Sequence, residues 1–517
     1  MKIPQYYEPK PLIILEYLFL LYLLPIAVNP EIRIQQMKPV PPPAPGSVID
    51  SDLQQFIDKM RASGALEQVI NVFSSFYRQF RSGKRGLIRE NTISPVLPRE
   101  LRTLEDLAAY RRHGTEALPR TIVIKLNGGL GTTMGCSGPK SLIHIKEGYH
   151  FLDITIRQLL DSSRKTGTDV PLLLMNSFNT DAESLAALDG YSELPDSLPR
   201  SFLQNKFPRI DAESLLPVTW AASPRLEWNP PGHGDIYTAL LSTGLLRQLL
   251  ERGFRYAFIS NIDNLGAVLE PALLGYLVGN SLSFLMEVTA RTAMDRKGGH
   301  ISRRSDGSLL LRESIQCPEE DMRFFQDIYR HRFFNTNNLW IDLTALDEQL
   351  TASEGVLQLP LLCNKKYVDA ADPNSPLVYQ LESAMGSALS VLPNTGAVDV
   401  PRSRFIPVKT CEELLLLRSD YYTLADDFRI SAIPELNQKP PELTLDSRFF
   451  GTVDQLDERF KNGIPSLRHC HRLSVEGNVS FGQGCSIIGD AMVANQTDTP
   501  FPVPDNSTLS GNLRIGD

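Results

Sequence analysis

Apolar positions along the chain follow three different spacings. Between residues 50 and 80 they recur as on a helix. Leu53, Phe56, Ile57 and Met60 share a stripe behind Asp50, Ser51 and Asp52, which are N-cap candidates. Residues 70–80 repeat the pattern. The first ~100 residues therefore predict a helical collar packed on a larger body. From Thr121 the spacing changes. Apolar runs at 121–126, 171–176, 256–261 and 283–288 predict strands, and helical patterns at 153–160 and 236–252 lie between them. This alternation predicts a mostly parallel sheet flanked by helices, with ligands bound beyond the carboxyl ends of the strands. From Leu473 to Gly516 the runs shorten and Gly, Asn and Asp separate them. Val475, Val479 and Ile487 as inward positions predict a small β-helix of short rungs.

One segment fits none of these spacings. Residues 12–28 are strongly apolar, broken by Glu16 and Pro25, and follow Lys2 and Lys10. At about 17 residues the run is at the short limit for crossing a bilayer. It reads as a signal peptide or anchor, as a docked hydrophobic helix, or as a leader before a natural start at Met37. The last reading is adopted, with residues 1–36 dispensable. Pro39 to Pro45 reads as an extended spacer.

Composition narrows the classes. A chain of 517 residues has room for two or three domains, and 42% hydrophobic with 22% charged residues is ordinary for a globular protein. A net charge of −8 argues against broad nucleic-acid binding, which needs a concentrated basic face. Six cysteines without C-x-x-C spacing argue against a cysteine zinc site or a disulfide scaffold. Reduced thiols and a cytoplasmic location are expected.

The densest chemical signal follows the first strand of the sheet. Lys125-Leu-Asn-Gly-Gly-Leu-Gly-Thr-Thr-Met-Gly-Cys-Ser-Gly-Pro-Lys140-Ser141 contains five glycines. Such a loop lets successive backbone N–H groups cradle phosphate oxygens, and Lys140 adds a full positive charge. A P-loop needs Gly directly before Lys, where this chain has Pro139. A dinucleotide fingerprint needs a third Gly where this chain has Met134.

The loop resembles the nucleotide-binding loop of eukaryotic-type UTP–glucose-1-phosphate uridylyltransferases. Further segments are similar in the same order: Met175 to Thr180, Gln204 to Ile210, Trp228 to Asp235, Asn261 to Gly266, Asn335 to Trp340, Phe405 to Lys409 and Ser510 to Ile515. The resemblance runs from about residue 50 to the end of the chain. It implies an α/β, nucleotidyltransferase-like fold with a mixed, mostly parallel sheet and a small C-terminal left-handed β-helix. Residues 1–46 would be the apolar segment and spacer, 47–430 the catalytic domain with its collar, and 431–517 the β-helix. It also implies transfer of a uridylyl group from UTP to glucose 1-phosphate, giving UDP-glucose and pyrophosphate.

The site residues carry over position by position. Lys140, Lys409 and Asp263 are expected to act at the phosphates, with Asp263 holding Mg²⁺. Leu126, Asn127, Gly128, Gly129, Gln204, Gly232, His233 and Asn261 are expected around the nucleotide. Glu287, Asn335 and Asn337 are expected around the hexose. The nucleophile is already an anion, so the chemistry asks for positioning and charge neutralisation rather than a catalytic triad. The resemblance also implies that the C-terminal part could mediate self-association, as it does in some members of the family and not in others. No expected site residue lies beyond Lys409, so truncation after about Leu445 is expected to alter oligomeric state or stability before it touches the chemistry. Two rivals remain at this point: an enzyme of broader sugar preference, and a non-catalytic, membrane-tethered UDP-sugar sensor.

Overall fold

A strand covered on both faces must be apolar at successive positions rather than alternate ones. Thr121–Asn127 is such a strand, with only Leu126 short of full burial. In the computed structural model, which describes residues 48–517 apart from 196–197, 371, 434–438 and 517, this strand lies inside the main sheet. The apolar run 12–28, the proline spacer and Met37 lie outside the described residues.

The sheet runs Arg102–Thr103, Thr395–Asp399, Phe284–Ala290, Phe333–Asp342, Tyr256–Asn261, Thr121–Asn127, Leu172–Asn176 and Ser201–Leu203. Neighbours are parallel except around Phe333–Asp342, which runs against both of its partners. Ile93–Pro95 and the hairpin His300–Arg304 with Leu309–Arg312 extend it to eleven strands. The four expected strands are all present, within two residues at each end.

Helices flank the sheet, and two of them begin or break differently from expectation. The first collar helix is described from Val48, so Asp50, Ser51 and Asp52 lie within the helix and not just before it. The span 236–252 is two helices, Asp235–Ser242 and Leu245–Glu251. Gly244 between them has φ +72°, a left-handed conformation that ends the first helix. Phe56, Phe73 and Tyr77 of the collar pack with Phe207 and Leu381 of the body. Among the described residues no helix is long and apolar enough to cross a membrane.

After residue 441 the chain forms parallel strands: Glu442–Leu445, Ser466–Glu476, Ser486–Asn495 and Thr508–Ile515. Leu467, Cys470 and Leu473 are buried at every third position. Val475, Val479 and Ile487 are buried as expected. This part is not remote from the glycine-rich loop. Phe450, Leu456 and Leu467 share one core with Met134 of that loop and with Val408 beside Lys409. Gly135 has φ +71°, and a Cβ there would lie 2.4 Å from Thr452 Cγ2. The C-terminal segment thus seals the outer side of the loop.

Truncation after Leu445 should therefore lower turnover and thermal stability together. Calorimetry and steady-state assays on the same preparation check this. Full turnover in the truncated chain would show that the packing against Met134 and Gly135 is idle.

Candidate active site

Two loops leave the carboxyl ends of adjacent parallel strands, Thr121–Asn127 and Tyr256–Asn261. The glycine-rich loop is pinned closed at its neck. Leu130 and Pro139 form an antiparallel bridge, and the Lys140 N–H donates to the Gly129 carbonyl at 3.2 Å. This returns Lys140 to the strand end, where its Nζ lies 2.5 Å from an oxygen of Asp263. Ile262 N–H donates to the Leu126 carbonyl at 3.1 Å, fixing the second loop against the first. The structure therefore brings Leu126, Gly128, Gly129, Lys140, Asn261 and Asp263 together at one end of the sheet.

Sequence reasoning missed the residue beneath them. Lys125 is 3% exposed, and its Nζ donates to Ser260 Oγ at 2.8 Å and to the Ala267 carbonyl at 2.9 Å. It staples both ends of the loop that carries Asp263. Burial, helped by the charge of Arg404, pushes its pKa down to about 7. Nothing in its spacing separates it from the apolar strand positions around it. Asn127 is also turned inward. Its amide donates to Asn176 Oδ1 and Ser184 Oγ, both at 2.8 Å, and its Oδ1 is buried without a partner.

The opposite wall is built on Gln204 and the turn Gly232–His233–Gly234. The Gln204 amide lies over Gly128, 3.0 Å from where a Cβ would stand, so any side chain there would have to shift it. Asp235 anchors the neighbouring Asn205, accepting from its backbone N–H at 2.6 Å and its side-chain amide at 2.9 Å. Burial raises the Asp235 pKa to about 6. Gly232, at φ +79°, sits 2.4 Å from the Ser383 carbonyl oxygen by the same Cβ measure. His233 Nδ1 accepts from the Met385 N–H at 2.9 Å, which leaves the proton of a neutral ring on Nε2. Shielding from water, then the charge of Lys409, pushes its pKa down to about 4.

The third wall is the antiparallel strand Phe333–Asp342. Asn337 breaks its pleat with φ +58°, opposite a register shift between Met286 and Val288. The bulge leaves Asn335 and Asn337 bonded to each other, Nδ2 of Asn335 donating to Oδ1 of Asn337 at 2.8 Å. Glu287 lies on the strand Phe284–Ala290 beside Asn335 and Asn337, bound into a buried network. Its carboxylate is fully buried and accepts from Arg404, Trp340 Nε1 and Asn338 Nδ2. Those bonds fix its carboxylate between the strand Phe333–Asp342 and Arg404. A different carboxylate, absent from the expected set, lies by Asn335. Glu313 Oε2 would stand 2.6 Å from a Cβ on Gly299, and the Gly299 carbonyl accepts from Asn335 N–H at 3.0 Å. Burial raises its pKa to about 7 against the opposing charge of Lys409. Lys409 itself is exposed, just before the capped helix Cys411–Arg418. Its charge is felt at both His233 and Glu313, so the second and third walls meet near it.

The described residues contain no group of three or more His, Cys, Asp or Glu able to hold a metal ion. Asp263 is the one carboxylate paired with Lys140 at the strand ends.

A family model described as UTP–glucose-1-phosphate uridylyltransferase matches residues 70–487. The chain is 40% identical over 404 residues to the UTP–glucose-1-phosphate uridylyltransferase of Encephalitozoon cuniculi, covering 78% of each chain. It is 38% identical to that of Hordeum vulgare, covering 78% of this chain and 83% of the other. A solved UDP-glucose pyrophosphorylase of Leishmania major, described in open and closed forms, superposes with a TM-score of 0.84 at 40% identity. That match covers 90% of this chain and 99% of that one. A Trypanosoma brucei relative superposes at 0.80 with 42% identity, covering 90% and 100%.

Two outcomes follow from the walls. Asp235→Ala frees Asn205 and should raise KM for the nucleotide about 10-fold while leaving kcat within about 3-fold, since only binding geometry is lost. Glu313 has a folded pKa raised above its unfolded value. Its contribution to stability is present at low pH and is lost as pH rises through about 7. Glu313→Gln should therefore gain stability relative to the parent between about pH 5 and about pH 8, read by thermal melting.

Proposed function

The chain belongs to the UTP–glucose-1-phosphate uridylyltransferase family and converts UTP and glucose 1-phosphate to UDP-glucose and pyrophosphate; from that premise we propose how its residues divide the work. The observation that carries the assignment is the pairing of Lys140 with Asp263 at the mouth of a closed glycine-rich loop. The sugar phosphate oxygen attacks the α-phosphorus in line and pyrophosphate leaves. Lys140 neutralises charge that grows on the triphosphate from the loop side. Lys409 does so from the other side. Backbone N–H groups at Gly128 and Gly129, with Leu126 and Asn127, line the nucleotide, and Asn261 lies beside it.

The uracil ring presents an imide edge, which needs a donor and an acceptor together. Gln204 supplies both from one amide. Gly232 and His233 complete that wall, with His233 neutral and donating from Nε2 at any pH well above about 4. Asn335 and Asn337 hold the hexose hydroxyls. Glu287 and Glu313 join them, and the buried bonds of Glu287 order the strand at the same time.

Asp263 fits Mg²⁺. It is a hard ligand beside the phosphate lysine, and this ion takes most of its ligands from phosphate oxygens and water. When bound, the ion neutralises phosphate charge. Residues 431–517 form, in this reading, a left-handed β-helix domain that packs on the catalytic domain 47–430. Its inward positions at every third residue support that. The exposed final strand Thr508–Ile515 is the edge for self-association. We place the protein in the cytoplasm, in line with six unpaired cysteines.

Pyrophosphate release measured over four nucleoside triphosphates and a panel of sugar 1-phosphates tests this reading. UTP should exceed CTP by about 10²-fold, because CTP leaves a buried polar group unpaired. Glucose 1-phosphate should be the preferred acceptor. Lys140→Ala should lower kcat by about 10²-fold or more. Equal rates with UTP and CTP would remove Gln204 from base recognition.

A further inference from the structure

Asn264 follows Asp263 in the chain and is 2% exposed. Its side chain is saturated. Nδ2 donates to Asn338 Oδ1 at 3.0 Å and to the Arg404 carbonyl at 3.1 Å. Oδ1 accepts from the Ile406 N–H at 2.8 Å and from the Gly266 N–H at 3.2 Å. Two donors and two lone pairs are the full capacity of an amide. The four partners lie in three different segments. Gly266 closes the loop that carries Asp263. Asn338 belongs to the strand of Asn335 and Asn337. Arg404 and Ile406 lead directly to Lys409, and a backbone bridge joins Asn264 to Pro407.

These contacts are themselves tied down. Asn338 Nδ2 donates to Glu287 at 3.1 Å, and Arg404 grips the same carboxylate through Nε and Nη2 at 2.6 and 2.7 Å. A buried network in which every member is satisfied holds its segments rigidly. Asn264 is the member that ties the Asp263 loop into it.

We propose that Asn264 is a positioning residue for uridylyl transfer, setting the separation of Asp263 and Lys409 across the triphosphate and keeping the sugar strand in step with them. This rests on the roles given to Asp263 and Lys409 above. Asn264 is buried and fully used by internal partners, so it acts through those groups. An error of about 1 Å in such a frame costs up to about 10²-fold in rate.

A double-mutant cycle on the full chain tests it, with kcat, KM for UTP and melting temperature read for each variant. Asn264→Ala should lower kcat about 10-fold or more, with KM for UTP within about 3-fold. In a Lys409→Ala background the same change should cost several-fold less in kcat than in the parent, because one of the groups it positions is gone while Asp263 and the sugar strand remain. Asn264→Ser, whose hydroxyl can still accept from Ile406, should recover part of the loss, and it carries the cycle if the alanine variant does not fold. Equal losses in both backgrounds would show an effect independent of Lys409 and overturn the proposal. Normal kcat in Asn264→Ala, beside a collapse in Lys409→Ala, overturns this inference alone. Full turnover in Lys409→Ala overturns the assignment beneath it as well.

Discussion

Glu287 and Arg404 form an ion pair that is almost wholly out of water, and the arrangement of the cleft depends on it. Removing two charges from solvent costs several kcal/mol per ion unless good geometry and further hydrogen bonds offset it. Both conditions are met. Glu287 also accepts from Trp340 and Asn338, while Arg404 donates to the Val268 carbonyl at 2.9 Å. The pair sits where Phe284–Ala290, Phe333–Asp342 and the segment leading to Lys409 meet. Loss of either partner alone would leave a buried charge, at a cost of about 3–5 kcal/mol. The requirement to keep the pair satisfied is also a requirement to keep these three segments in register.

The same economy explains the glycine-rich loop. A loop that must expose N–H groups to phosphate cannot fill its own interior with side chains. Its rigidity has to come from outside. Met134 is buried in a core shared with the C-terminal strands, and Thr452 lies against Gly135. Lys125 supports the adjacent loop from below. The charged groups that face the phosphates are few, while the groups that hold them still are many and buried. This suits a reaction whose nucleophile arrives already ionised and whose barrier falls through placement and charge.

Much of this was legible in the sequence, for identifiable reasons. Strands buried on both faces write continuous apolar runs, so Thr121–Asn127 and Tyr256–Asn261 stood out. A density of glycines, one of them held at positive φ against Thr452 as Gly135 is, made the nucleotide loop visible. The break at Gly244 was missed because apolar positions continue through it at helical spacing. A carboxylate in an apolar strand, such as Glu287, reads equally well as a ligand contact or as half of a buried pair. Its pairing with Arg404, more than a hundred residues away, left no signal in the sequence around it. Glu313, Lys125 and Asn264 carried no local signal, since their meaning lies in partners from other segments. The apolar run 12–28 lies outside the described residues.

The central claim is that the triphosphate is held between two charged arms, Lys140 with Asp263 on one side and Lys409 on the other, with the base against Gln204. A crystal structure of the chain with UTP and Mg²⁺ tests it most directly. The account predicts phosphate oxygens within hydrogen-bonding reach of Lys140 and Lys409, the ion on Asp263, and the uracil edge on the Gln204 amide. A triphosphate bound away from Lys409, or a base turned from Gln204, would contradict it.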